Sequence, residues 1–280
     1  MFVLIFAVLL ILLAAGLYFF SILPDTSRQD ECREFTKWEY AHRGLFSREQ
    51  GIPENSLEAF RRAVLAGYAI ELDVQLTRDK QLIVFHDDNL KRMCGENYRV
   101  SDLNYQELLE YPLDGTEYKI PLFTDVLELV DGKVPLLIEI KLPHHQTTFI
   151  CSVINDQLRT YKGAYCIESF NPLVLKWYRD NCPVAIRGQL SAKFSPKDGF
   201  NALFRFMGHY LMFNFLGRPD FISYHYLEFK NPSFRLLRKL FHVPAMGWTV
   251  KSPHAYEKYR GKFDTFIFDS FIPEKDRKNS

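Results

Sequence analysis

Between Ala41 and Asp87 the chain gathers Ala41-His42-Arg43-Gly44, Pro53-Glu54-Asn55-Ser56, Glu71-Leu72-Asp73 and His86-Asp87. Two histidines, an arginine and two carboxylates two residues apart therefore border short apolar runs that read as strands. In a strand, residues i and i+2 share a face, so Glu71 and Asp73 project together. Glu139 and Lys141, again two apart, close the run Leu136-Leu137-Ile138-Glu139-Ile140-Lys141. Three carboxylates at neighbouring strand ends suit a hard divalent cation, Ca²⁺ or Mg²⁺, and no Cys/His cluster with zinc spacing competes with them. Arg43 and Lys141 would add positive charge where a phosphoryl transition state gathers negative charge. His42 and His86, whose ordinary pKa lies near 6.5, could divide the proton work as base and acid. Salt bridges in a cleft and hydrogen-bonded core histidines are the structural alternatives. They explain one such pair more readily than seven residues at successive strand ends.

Those strand ends need a scaffold. β-like runs fall at 39–42, 69–74 with a continuation at 82–86, 134–140, 164–169, 184–189, 220–223, 243–249 and 265–269. Helical spacing appears between them at 56–66, 124–130, 146–158, 172–181, 200–215, 233–241 and 253–259. Asn55 or Ser56 reads as the N-cap of the first of these helices, and Asn171-Pro172 opens the helix after the fourth strand. The alternation predicts a (β/α)₈ TIM barrel over 38–280, with an insertion at about 88–121 after the second strand. A doubly wound sheet is less consistent, because no GxGxxG turn follows the first strand.

With Lys+Arg 35 against Asp+Glu 34, the chain has no basic excess to favour nucleic acid as a partner. Residues 1–23 carry no charged side chain and as a helix would extend about 34 Å, enough to cross a bilayer core. They read as a single-pass anchor rather than a signal peptide, lacking a basic n-region and a small-x-small cleavage site. Residues 24–37 read as a linker. Its Arg28, Arg33 and Lys37 lean slightly towards a cytoplasmic barrel. Cys32, Cys94, Cys151, Cys166 and Cys182 are scattered and show neither a CxxC pair nor disulfide-framework spacing.

The motifs His42-Arg43-Gly44, Pro53-Glu54-Asn55-Ser56 with Ala59-Phe60, Glu71-Leu72-Asp73-Val74 with Thr77 and Asp79, and His86-Asp87 resemble the glycerophosphodiester phosphodiesterase family. Glu139-Ile140-Lys141, Ser169-Phe170, Gly247-Trp248-Thr249-Val250 and Phe266-Ile267-Phe268-Asp269 agree, so the similarity spans nearly all of 39–270. The resemblance implies a TIM-barrel phosphodiesterase using Ca²⁺ or Mg²⁺. Glu71, Asp73 and Glu139 match its metal ligands, His42 and His86 its acid/base pair, and Arg43 and Lys141 its phosphate contacts. Lys251 stands where the family often has Asn.

Other residues read less sharply. Trp248 could wall the glycerol or leaving group, or simply pack the barrel; His225 could reach substrate from the sixth strand; His144 and His145 read as solvated loop residues. The aromatic stretch 200–216 is either core or an apolar flank that lies on the membrane or receives an acyl chain. The expected reaction converts a glycerophosphodiester to glycerol 3-phosphate and an alcohol. Lysophospholipase D-type cleavage of a membrane lysophospholipid and a catalytically silent binding barrel are the alternatives.

Overall fold

The computed structural model describes residues 1–142 and 148–274. Its strands are β1 (Tyr40–His42), β2 (Ala69–Leu76), β3 (Leu82–Val84), β4 (Leu136–Ile140), β5 (Tyr165–Ser169), β6 (Arg187–Ser191), β7 (Phe221–His225), β8 (Ala245–Val250) and β9 (Thr265–Phe268). β1, β2 and β4 to β9 pair in parallel, and β9 returns to β1, closing the expected barrel. β3 lies antiparallel on β2. The stretch 82–86, read as a continuation of the second strand, is thus a hairpin arm. Its turn is made by Thr77, whose hydroxyl pairs with Asp79 at 2.5 Å, and by Lys80 at φ 63°.

Alternation along the strands separates two apolar surfaces. Ile70, Leu72, Val74, Ile138 and Ile140 pack outward among Phe60, Ala63, Phe123, Val126, Ile150 and Ile154 of the helical ring. Tyr40, Ala69, Leu137, Cys166, Phe221, Met246 and Ile267 form the barrel floor together with Cys32. Cys32 belongs to helix Gln29–Phe35, inside the segment read as a linker. One buried residue among polar neighbours leaves no apolar stripe to read, yet this helix seals the floor. Arg28, at its N-cap, lies 2.6 Å from Asp220 and pins it there.

Helix Leu57–Ala66 begins at Ser56, whose Oγ accepts from the Ala59 N–H at 3.2 Å, and ends at Gly67 in the left-handed region. Asn171 caps helix Pro172–Asn181, which has proline in its first turn, as the sequence predicts. The insertion folds on its own apolar cluster, including Phe85, Leu90, Met93, Val100, Leu108 and Ile120. The stretch 200–215 is not one helix. It divides into Ala202–His209 and Asn214–Gly217, broken where Leu211 takes φ 57°. Helix Phe149–Leu158 is described, whereas His144, His145 and the expected start of that helix at 146 lie outside the described residues, as does 275–280.

Helix Phe2–Ile22 has a mean hydropathy of 2.9 and is long and apolar enough to cross a membrane. Most of it is exposed, but its last turn docks on the barrel. Ile22 is fully buried, Asn214 Nδ2 donates to the Ile22 carbonyl at 3.0 Å, and the Tyr18 and Ser233 hydroxyls pair at 2.7 Å.

Candidate active site

Strand register assembles the acidic centre. His42 at the end of β1 is level with Glu71 of β2, and Asp73 with Glu139 of β4. The same-face spacing of Glu71 and Asp73 turns both inward, so Glu71, Asp73 and Glu139 each offer a carboxylate oxygen within 4.8 Å of the others, all buried. Burial, then repulsion from Asp73 and Glu139, drives the Glu71 carboxyl well above its ordinary range. Burial also raises Glu139. On Asp73 burial acts in the same sense, but Lys141, His86 and Arg43 outweigh it and hold this carboxyl well below its ordinary range.

Two cations stand against these acids. Lys141 Nζ lies 3.0 Å from Asp73 Oδ1 and 2.5 Å from Glu139 Oε1. Arg43 Nε lies 3.2 Å from Asp73 Oδ2, its backbone N–H donates to Glu71 Oε2 at 3.0 Å, and its Nη1 donates to Glu54 at 2.6 Å. Arg43 itself sits at φ 56°, followed by Gly44 at φ 82°. A Cβ on Gly44 would fall 2.8 Å from the Ala59 carbonyl carbon, so only glycine lets this turn lie against the helix.

Each histidine leans on a carboxylate. His42 Nδ1 lies 3.0 Å from Asp269 Oδ2, just beyond β9, and His86 Nδ1 lies 2.6 Å from Asp87 Oδ1. Burial lowers the pKa of His42, against the opposing hydrogen bond it makes to Asp269. Arg92 of the insertion donates to Asp87 at 2.7 Å and to Glu54 at 2.6 Å, linking the His86 side of the site to Arg43.

Seven of the sequence-predicted residues thus meet around one centre: His42, Arg43, Glu71, Asp73, His86, Glu139 and Lys141. Trp248 belongs to a different wall, packing edge-to-face on Phe170 at 5.5 Å and on His225 at 5.4 Å. His225 ends β7, level with Trp248 on the neighbouring strand. Four participants have no part in the site assigned from sequence: Glu54, Asn55, Arg92 and Asp269. Asn55 does not cap the helix. It sits at φ 55° and donates from Nδ2 to Asp73 Oδ2 at 2.9 Å, while its Oδ1 is buried without a hydrogen-bond partner. The signal is present for Glu54, Asn55 and Asp269, since all three lie in the quoted motifs, but their partners are remote in sequence.

A divalent cation fits this centre. The converging donors are all oxygens, Glu71 and Glu139 resist charging without a counter-ion, and the unpartnered Asn55 oxygen adjoins Asp73. Two cavities open from it. One, of about 1120 Å³, meets Glu139 and Lys141 and continues between phenylalanine rings. The other, of about 700 Å³, meets His42 and Arg43 and is bordered by Arg48, Arg62, Arg92 and Lys251.

The sequence profile of the glycerophosphoryl diester phosphodiesterase family matches residues 42–197. The chain is 31% identical over 179 residues to lysophospholipase D GDPD1 of Rattus norvegicus, covering 58% of this chain and 55% of that protein. It is 39% identical over 110 residues to a glycerophosphodiester phosphodiesterase of Bacillus altitudinis, covering 37% of this chain and 44% of that one. The chain thus spans about half the length of the curated relatives it matches. Among solved structures, a glycerophosphodiester phosphodiesterase of Thermotoga maritima superposes with a TM-score of 0.64 at 26% identity, covering 82% of this chain and 93% of that one. An Oleispira antarctica phosphodiesterase, in complex with the product sn-glycerol-3-phosphate, shares the fold with a TM-score of 0.66 at 20% identity, covering 85% and 94%.

Proposed function

The chain belongs to the glycerophosphoryl diester phosphodiesterase family, and from that premise we propose a membrane-anchored, cation-dependent hydrolase that splits a glycerophosphodiester into glycerol 3-phosphate and an alcohol. The carrying observation is the buried Glu71–Asp73–Glu139 cluster between two carboxylate-backed histidines. Glu71, Asp73 and Glu139 would hold Ca²⁺ or Mg²⁺, which when bound polarises a phosphoryl oxygen and offsets its charge. Arg43 and Lys141 receive the remaining phosphate charge.

Proton transfer falls to the histidines. With Nδ1–H donated to its carboxylate, each ring keeps Nε2 for proton exchange. One histidine takes a proton from the nucleophile, which is water or the substrate's own glycerol hydroxyl; in the second case the cyclic phosphate so formed is opened by water in a following step to give glycerol 3-phosphate. The other protonates the alcohol oxygen as its bond to phosphorus breaks. Trp248 lines the wall beside the glycerol or the leaving group. Helix Phe2–Ile22 serves as the membrane anchor, and the contacts of Tyr18 and Ile22 with the barrel favour its retention over cleavage.

A second reading is lysophospholipase D-type hydrolysis. It breaks the same bond and differs in the acyl chain carried by the glycerol. The phenylalanine-lined cavity beside Lys141 favours it, as does the likeness to relatives bearing that name. Assaying glycerophosphocholine and lysophosphatidylcholine with defined Ca²⁺ or Mg²⁺ separates the two. Absence of cation-dependent turnover on either substrate would favour a silent binding barrel.

A further inference from the structure

We propose that the cavity beside Lys141 is an acyl-chain groove that receives a single-chain phospholipid directly from the bilayer entered by the N-terminal helix. This rests on the phosphodiesterase reading of the site and specifies its substrate. The cavity touches Glu139 and Lys141 at one end, so a chain lying in it is attached to the molecule whose phosphate is cleaved. Its wall is a continuous series of rings. Phe170 meets Phe194 at 6.0 Å, Phe194 meets Phe204 at 6.4 Å, and Phe204 meets Phe213 at 4.8 Å. Phe200 stacks on Phe204 at 4.4 Å. None of these rings is fully buried, so they line a surface rather than fill a core. A small polar alcohol gains nothing from such a wall, whereas each methylene moved into it from water strengthens binding about fourfold.

The groove adjoins the anchor. Phe213 and Leu216 line the cavity, while Phe215 between them packs on Phe20 of the N-terminal helix at 6.0 Å, with Arg218 over the same ring at 4.8 Å. Contacts of the N-terminal segment climb the barrel wall. Asp25 bonds Pro219 just before β7, Ile22 meets Asn214, and Tyr18 meets Ser233 beyond the end of β7. The free part of the helix therefore leaves on the side to which the barrel strands point, where the acidic centre opens. Leu203 and Phe206, both exposed on helix Ala202–His209, extend the apolar surface beside the groove.

The test uses the full chain in nanodiscs with lysophosphatidylcholines of graded chain length and with glycerophosphocholine. Leu173→Glu and Phe200→Asp place a charge at the groove. Leu173 is half exposed in the first turn of its helix, where a carboxylate is tolerated. The expected result is a kcat/KM that rises about fourfold per added methylene before levelling. Each variant should lose at least about tenfold on the long-chain lipid, from several displaced methylenes, with glycerophosphocholine turnover within about twofold of the parent. Rates independent of chain length, or equal losses on both substrates, would overturn the groove while leaving the phosphodiesterase reading intact. Unchanged rates with a loss of self-association would also overturn it, assigning the face to a second copy. Hydrolysis of neither substrate by the parent chain would remove both.

Discussion

His42 Nδ1 lies 3.0 Å from Asp269 Oδ2, joining the end of the first barrel strand to the residue after the last. The pair exists because β1 and β9 close the barrel, and Lys251 Nζ, 3.3 Å from the same carboxylate oxygen, adds a second positive partner. Asp269 thereby orients His42 and selects the tautomer with its proton on Nδ1. Asp269→Asn should keep the fold but permit the wrong tautomer, lowering kcat about 10²-fold or more with little change in KM. Steady-state kinetics of the variant check this, and a change confined to KM would assign Asp269 to substrate binding instead.

The same pair sets an acid-side stability. Burial alone would raise the Asp269 carboxyl, but hydrogen bonds from His42 and Ser270 bring it down to about 2. Its folded value thus lies below the unfolded one of about 3.9. The stability it contributes, about 1–2 kcal/mol after solvent screening, is present above pH 4 and lost as pH falls towards 2. Urea midpoints measured between about pH 5 and pH 3 should therefore fall less steeply for Asp269→Asn than for the parent.

Much of the barrel is legible because each strand alternates between a helix-facing and an inward residue, and the site because its acids sit two apart at strand ends. The remainder depends on contacts that local spacing does not encode. Asp269 meets a residue 227 positions away, and Arg92 reaches Glu54 across 38 positions. Helix Gln29–Phe35 buries Cys32 alone, too little to register as amphipathic. The break at Leu211 rests on a left-handed backbone at a residue type that rarely adopts it.

Asn55 is the position where a small change should act through the cation. Asn55→Ala removes the donor to Asp73 and the unpartnered oxygen beside it, and places alanine at φ 55°. Groups that support metal ligands typically contribute 10–100-fold to affinity, so half-saturation by Ca²⁺ or Mg²⁺ should shift upward by about tenfold or more. Cation titrations of activity, paired with thermal melts of the apo-protein, separate this from simple destabilisation.

Gly44→Ala should destabilise outright. The new Cβ meets Ala59 backbone atoms at 2.8 and 2.9 Å in a conformation with φ 82°, and a well-capped helix cannot easily yield. A loss of about 2 kcal/mol or more is expected, read as a lowered Tm.

Cation dependence tests the central claim most directly. Calorimetric titration of the full chain with Ca²⁺ or Mg²⁺, together with hydrolysis of glycerophosphocholine and lysophosphatidylcholine before and after EDTA, should show one bound ion and turnover that vanishes on chelation and returns on re-addition. Glu71→Gln should weaken the binding and remove most of the activity while leaving the Tm of the apo-protein unchanged or higher, because the replaced carboxyl is buried among two others. Turnover that survives EDTA, or a Glu71→Gln variant with an unchanged cation requirement, would contradict the account.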